Sequence, residues 1–274
     1  MGIPRDLTKE FPSVLDRAYK QYKQKAKIDE IMSREVETIS PEAKMAEAAQ
    51  RMGERHIGSL IVVKYATPVG IVTERDLLSS VLAQGRSPKR VKVEEVMSYP
   101  LVTICSTATI KEAAQMMIKR KGRLAVFECG NLVGIITASD LIRSMPEAPE
   151  TTIKVDDFMS KDVVTADKKT PISSVTEIMG KKRIGSVIVT SKGEPRGIFT
   201  ERDLLTAFLA KGKSLKIQVG KACSSPLITA PSGTSVHEAA SIMMSRHIKR
   251  LPIVKDEKLV GIVTARDLVE AYAK

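Results

Sequence analysis

The chain has 274 residues, 43% apolar and 28% charged, a composition that fits a globular protein of about two domains and excludes a disordered or fibrous one. Its formal charge of +12, from 44 basic and 32 acidic residues, biases the surface toward anionic partners: nucleotides, nucleic acid or an acidic protein face. No apolar run is long enough for a membrane span, and with 4% aromatics and no Trp the core must be built from Ile, Val, Leu, Ala and Met.

In residues 1–27, Phe11, Val14, Leu15, Ala18, Tyr19 and Tyr22 fall at helical spacing, and Ser13 with Asp16 can form a capping box. An amphipathic helix packed on the first half is expected. Its basic end, YKQYKQKAK, reads as a solvated face, with nucleic-acid contact as the alternative. The stretch lacks the apolar centre of a signal peptide. Cys105, Cys129 and Cys223 are odd in number and form no C-x-x-C pair, which argues against a zinc site or a disulfide framework. A reducing cytoplasm is the expected setting.

From residue 28 onward the chain repeats itself. Short phrases beginning at Ser33, Ser98, Ser160 and Ser224 open four units, and GIVTERD, GIITASD, GIFTERD and GIVTARD close them. The closing aspartates, Asp76, Asp140, Asp203 and Asp267, are 64, 63 and 64 residues apart. Within each unit comes first an extended Thr: Thr38, Thr103, Thr165 or Thr229. A helix follows, with apolar residues at i, i+3, i+4 and i+7, as at Met45, Ala48, Ala49 and Met52. The third copy is looser, with Ile172, Val175 and Met179. Next are a β-branched run, a turn and the closing strand, and a second helix starts at the Thr of the closing phrase. The expected fold is α/β, with four β-α-β-β-α units that pack on one another because each is too small to bury its own core.

Units one and three share IGS and TERDLL, whereas units two and four carry Arg123 and Arg250 before the β-branched run. The larger period is therefore a duplicated pair of 127 residues. The expected domains are 28–84, 93–145, 153–211 and 217–274, with a Pro-containing linker at 146–152. The two pairs are expected to form a pseudo-symmetric disc, as a monomer or a homodimer.

The Thr-x-x-Asp of the closing phrase supports two readings. One is a capping box, stabilising the helix by roughly 1 kcal/mol without any ligand. The other is a ribonucleotide site: the helix N-terminus and the Thr hydroxyl suit a phosphate, and the carboxylate suits the two hydroxyls of a ribose. His56, His237 and His247 are tied by no motif to a nucleophile or metal ligand, and no P-loop or G-x-G-x-x-G is present. Neither a catalytic residue nor a metal is expected. The Met pairs at 116–117 and 243–244 read as core.

The unit order, its period, the opening M-S-x-x-x-x-T and the closing G-h-h-T-x-x-D resemble the cystathionine-β-synthase (CBS) domain over residues 28–274. Four copies in one chain are similar to the γ subunits of AMP-activated protein kinases. The resemblance implies two Bateman modules, a non-catalytic regulatory role, an adenine nucleotide (AMP, ADP or ATP) as ligand and an effector protein as partner. It implies ribose contacts at Asp76, Asp140, Asp203 and Asp267, and phosphate contacts at Thr73, Thr137, Thr200 and Thr264. Arg123, Lys249 and Arg250 match basic phosphate-contacting positions. In units one and three, Gly58-Ser59 and Gly185-Ser186 replace them, leaving His56, Arg183 or a neighbouring unit to meet the charge. Thr38, Thr103, Thr165 and Thr229 would lie near the adenine. Unit four, with Thr264, Asp267, Lys249 and Arg250, has the fullest set and is expected to be the principal site. The alternatives are a nucleic-acid-binding or transcription-linked regulator with a nucleotide effector, and an S-adenosylmethionine sensor.

Overall fold

The structure is a computed structural model and describes residues 26–120, 122–144 and 153–273. The expected linker at 146–152 and, but for residues 26 and 27, the expected N-terminal helix lie outside them. Each repeat contributes a three-stranded sheet in which the first strand runs parallel to the second and the second antiparallel to the third. In chain order these are β1 Thr38–Ile39, β2 Ser59–Lys64 and β3 Thr67–Thr73; β4 Thr103–Cys105, β5 Leu124–Glu128 and β6 Asn131–Ile136; β7 Thr165–Asp167, β8 Ser186–Ser191 and β9 Glu194–Thr200; β10 Ala230–Pro231, β11 Arg250–Lys255 and β12 Lys258–Thr264. Their short apolar runs are buried on both sides, so the central residues of β2, Leu60, Ile61 and Val62, are wholly inaccessible.

The helices are α1 Met45–Glu54, α2 Glu74–Asp76, α3 Ile110–Arg120, α4 Ala138–Arg143, α5 Ile172–Lys182, α6 Glu201–Asp203, α7 Val236–Ser245 and α8 Ala265–Ala273. The apolar faces read from the sequence are the buried ones: Met45, Ala48, Ala49 and Met52 in α1, and Val236, Ala239, Ala240 and Met243 in α7. In repeats one and three the second helix continues from its first turn into π-wound segments, Leu77–Val81 and Leu204–Leu209. Repeats two and four keep the α form.

Repeat four starts its first strand one residue later than the others. Ile61, Ala125 and Ile188 each donate their N–H to the residue before the first strand, at 3.0 Å. The matching residue in β11 is Pro252, which has no N–H to give. Thr229 consequently lies just outside β10.

The opening phrases are exchanged within each pair. Ser33 N–H donates to Ile135 O at 3.0 Å and Ile135 N–H returns the bond at 2.9 Å, so the opening of repeat one completes the sheet of repeat two. Ser98 and Ile71 make the reciprocal bonds, as do Ser160 with Ile262 and Ser224 with Ile198. This explains the glycine of the closing phrase. A Cβ on Gly70 would stand 2.7 Å from Ser98 O, closer than any side chain tolerates.

The pairs then meet through helices. Repeats two and four share one core, in which Ile110, Met117 and Leu141 join Val236, Met243 and Leu268. Repeats one and three trade residues: Leu205 enters the core of repeat one and Leu78 that of repeat three. The four units close into a ring in the order one, two, four, three.

Candidate functional site

All four closing phrases form a capping box. In each, the Asp Oδ2 accepts the N–H and the hydroxyl of its Thr: 2.8 and 2.7 Å at Thr73–Asp76, 2.9 and 2.7 Å at Thr137–Asp140. The distances are 2.9 and 2.8 Å at Thr200–Asp203, and 2.7 and 2.8 Å at Thr264–Asp267. The Thr hydroxyl protons are thus committed to the carboxylates, and Oδ1 is the oxygen left outside each box. Burial raises the Asp76, Asp203 and Asp267 carboxyls above the usual range, against the opposing effect of the Thr bonds.

Beside one of these boxes lies a cleft of about 360 Å³. Repeat one lines it with Glu35, Val36, Glu37 and His56 to Ser59; repeat two with Arg123, Thr137 and Asp140. Repeat three adds Arg202, and repeat four adds Met243, Met244 and Lys249. The Met243–Met244 pair, read as core, therefore also forms a wall. A shallower depression of about 760 Å³ near Thr103 holds Cys105, Cys129 and Glu112 but no basic side chain. It lacks the cations an anionic ligand needs.

Lys249 is not where its repeat suggests. Its carbonyl accepts the Ala265 N–H at 3.0 Å, next to the Thr264 box, but its side chain lines the Asp140 cleft. Lost hydration and the charges of Arg202 and Arg123 lower its ammonium to about 8. Arg250 is also taken elsewhere: its Nη2 donates to Glu201 Oε2 at 3.0 Å. The expected principal site on repeat four, combining Thr264, Asp267, Lys249 and Arg250, is thus not assembled. The last two residues stand where the repeats converge and serve other repeats.

That convergence holds charges that the sequence reading missed. Arg75 Nε donates to Glu201 Oε1 at 3.2 Å, and its counterpart Arg202 lies 3.6 Å from Glu74 Oε1 and donates to His56 O at 2.7 Å. Glu201 and Glu74 are only 8% and 11% exposed. Glu74 Oε1 is buried with no hydrogen-bond partner, and desolvation raises its carboxyl against the pull of Arg202 and Arg123. The signal was present, because the Glu-Arg dipeptide of TERD occurs in repeats one and three alone.

Gly58 and Gly185 belong to the same arrangement. A Cβ on Gly58 would lie 2.6 Å from Arg123 Nη2 and 3.1 Å from Glu74 Oε2, and one on Gly185 would overlap Arg250 Nη2. The glycines of repeats one and three thus make room for the arginines of repeats two and four. Of the other expected contacts, Arg183 is an exposed C-cap of α5, and Thr38, Thr165 and Thr229 are exposed outside the cleft. Glu35, Val36 and Glu37, just before Thr38, line it instead. Among the described residues no group of three or more His, Cys, Asp and Glu could hold a metal ion, and no helix is long and apolar enough to cross a membrane.

The family model described as "CBS domain" matches residues 28–83, 93–147, 155–210 and 219–274. The chain belongs to the CBS-domain family. Among solved structures, its fold matches that of a Methanocaldococcus jannaschii protein described as a proposed archaeal homologue of γ-AMPK. The TM-score is 0.75 at 22% identity, covering 90% of this chain and 100% of that one. A Pyrococcus horikoshii protein matches with a TM-score of 0.63 at 22% identity, over 89% and 99% of the two chains. The CBS chain is also 35% identical over 122 residues to an uncharacterised Methanopyrus kandleri protein, covering 43% of this chain. With a second M. jannaschii protein the identity is 30% over 268 residues, or 90% of this chain. The CBS chain spans 62% of the length of each of these two relatives.

Proposed function

We propose that this CBS protein is a non-catalytic regulator that binds an adenine nucleotide in the Asp140 cleft and transmits its occupancy to a partner protein. The observation that carries this reading is that one cleft is lined by all four repeats. Its volume lies within the range of small-molecule sites. Asp140 Oδ1, outside the capping box, is the acceptor for the ribose hydroxyls. Val36, Ile57 and Ile61 offer apolar surface for the base. Arg123, Arg202 and Lys249 supply charged donors for phosphate. A ligand seated between repeats one and two but touching Arg202 and Lys249 binds one relative placement of the two pairs more tightly than another. That differential affinity is what a regulatory ligand requires.

The test is calorimetric titration of the full chain with AMP, ADP and ATP, and with S-adenosylmethionine as the phosphate-free comparison. Binding of at least one nucleotide in the micromolar range is expected, more tightly than S-adenosylmethionine. Silence with all three nucleotides removes the reading.

A further inference from the structure

We infer that Glu74 is a built-in rival of the ligand's phosphates: its carboxylate shares the cations of the Asp140 cleft and so limits how many phosphate charges the cleft accepts. The inference rests on the nucleotide reading for the place of the site and adds a residue that decides which charge state of the nucleotide is preferred.

Glu74 stands just outside the lining of the cleft. Its N–H donates to the carbonyl of Gly58, a lining residue, at 3.2 Å. A Cβ on Gly58 would lie 2.6 Å from Arg123 Nη2 and 3.1 Å from Glu74 Oε2, so guanidinium and carboxylate crowd the same bare face of that glycine. Arg202 Nε lies 3.6 Å from Glu74 Oε1. Of the carboxylates that act on Arg123, Glu74 acts most strongly, ahead of Glu201 and Asp76; on Lys249 it acts more strongly than Asp140. The three side chains assigned to phosphate thus already share one counter-ion.

That counter-ion is poorly settled as a piece of the frame. Its Oε1 is buried with no hydrogen-bond partner. Burial raises its carboxyl above the usual range against the pull of Arg202, Arg123 and Lys249, and Glu201 adds repulsion. Glu201, by contrast, accepts a hydrogen bond on each oxygen, from Arg75 at 3.2 Å and from Arg250 at 3.0 Å. A desolvated carboxylate that is charge-paired but short of hydrogen bonds adds little to stability. Its effect on a ligand is large, because water screens it poorly. It cancels part of the positive potential that a phosphate would meet in the cleft, and it repels the phosphate itself. The carboxylates that line the cleft are occupied or exposed: Glu37 pairs with Arg55 at 3.3 Å, Asp140 Oδ2 accepts the Thr137 bonds, and Glu35 faces solvent.

The experiment is equilibrium dialysis of the full chain and of Glu74→Gln, which keeps the shape and removes the charge, with adenosine, AMP, ATP and inorganic tripolyphosphate. In the variant, ATP and tripolyphosphate should bind about tenfold more tightly or better, AMP should gain less, and adenosine should stay within about twofold. Glu74→Asp keeps the charge and should stay within about threefold of the unaltered chain for every ligand. Weaker polyphosphate binding in Glu74→Gln would overturn the inference, because Glu74 would then be positioning Arg123 and Arg202 for the ligand. An equal change for all four ligands, the same gain in Glu74→Asp, or no tripolyphosphate binding to either chain would also overturn it. So would a Glu74→Gln chain that fails to fold, since Glu74 would then belong to the frame. If tripolyphosphate gains affinity in Glu74→Gln while adenosine, AMP and ATP bind neither chain, the rivalry stands and the nucleotide reading falls. If the nucleotides bind but ATP and AMP keep the same ratio of affinities in both chains, the reverse holds.

Discussion

Arg250 of repeat four donates Nη2 to Glu201 Oε2 of repeat three at 3.0 Å, with the two side chains 19% and 8% exposed. This bond places a residue with the look of a phosphate ligand inside the protein's own framework. Arg250→Ala leaves Glu201 with Arg75 as its remaining partner. A loss of about 1–3 kcal/mol in unfolding free energy is expected, with adenine-nucleotide affinity changed less than threefold. Urea unfolding together with calorimetry checks both. A large affinity loss at unchanged stability would return Arg250 to the ligand site.

The four capping boxes share a geometry, so any difference between them in function must come from what surrounds them. Asp140→Ala and Asp203→Ala should each cost about 1 kcal/mol through the lost cap. Only Asp140→Ala should also lower AMP affinity, by tenfold or more. Melting temperature and affinity on both variants decide the matter. Equal affinity losses would mean that the cleft beside Asp140 is not the principal site.

Lys249 carries a pH signature. Its ammonium titrates at about 8 because lost hydration and the repulsion of Arg202 and Arg123 disfavour the charge. A bound phosphate favours the charge again, so binding AMP near pH 8 should take up a proton. Affinity should fall as the pH rises above 8, by up to about tenfold per unit. Without ligand the sign is opposite. The folded-state value lies below the unfolded one, so the stability contribution of Lys249 is present above the ordinary lysine range and is lost as the pH falls through about 8. Calorimetry at pH 7 and pH 9 in buffers of different ionisation heat measures the uptake. Lys249→Met should abolish it, and an AMP affinity that is flat from pH 7 to 9 in the unaltered chain would contradict the assignment.

The seam between repeats one and three is tight at Gly180, where an added Cβ would overlap the Ala83 Cβ and lie 3.1 Å from Leu78 O. Gly180→Ala should destabilise the chain by about 1–3 kcal/mol through overpacking. Hydrogen exchange should show the increase concentrated in α5 and around Leu78. Uniform protection, unchanged from the original chain, would show that the seam yields without cost.

The units and their helix faces were legible in the sequence because each rests on a pattern local to one repeat, and the pairing by twos because the pattern recurs after 127 residues. Met45, Ala48, Ala49 and Met52 mark a buried face wherever the helix lies. The cleft was legible only in part. Thr137 and Asp140 stand on the helix their phrase begins, but Lys249 and Arg202 reach them from repeats four and three. Which repeats meet depends on the ring closure, and no spacing along the chain encodes it. The complementary marks were there all the same: glycine in repeats one and three exactly where arginine from two and four must pass was visible as an alternation, though not as a contact.

The exchanged openings bear on how the chain reaches this state during synthesis. Ile28–Glu30 and Ser33 emerge early but belong to the sheet and helix of repeat two, where Ile28 N–H bonds Ala108 O and Ser33 bonds Ile135. Repeat one in turn lacks its final edge until Val91, Val93 and Ser98 have left the ribosome, since Met45 N–H bonds Val91 O and Ile71 bonds Ser98. Repeats one and three cannot mature as soon as their own residues are made. Each half of the ring must wait for its second member, so the pair is the smallest nascent piece able to satisfy its own backbone.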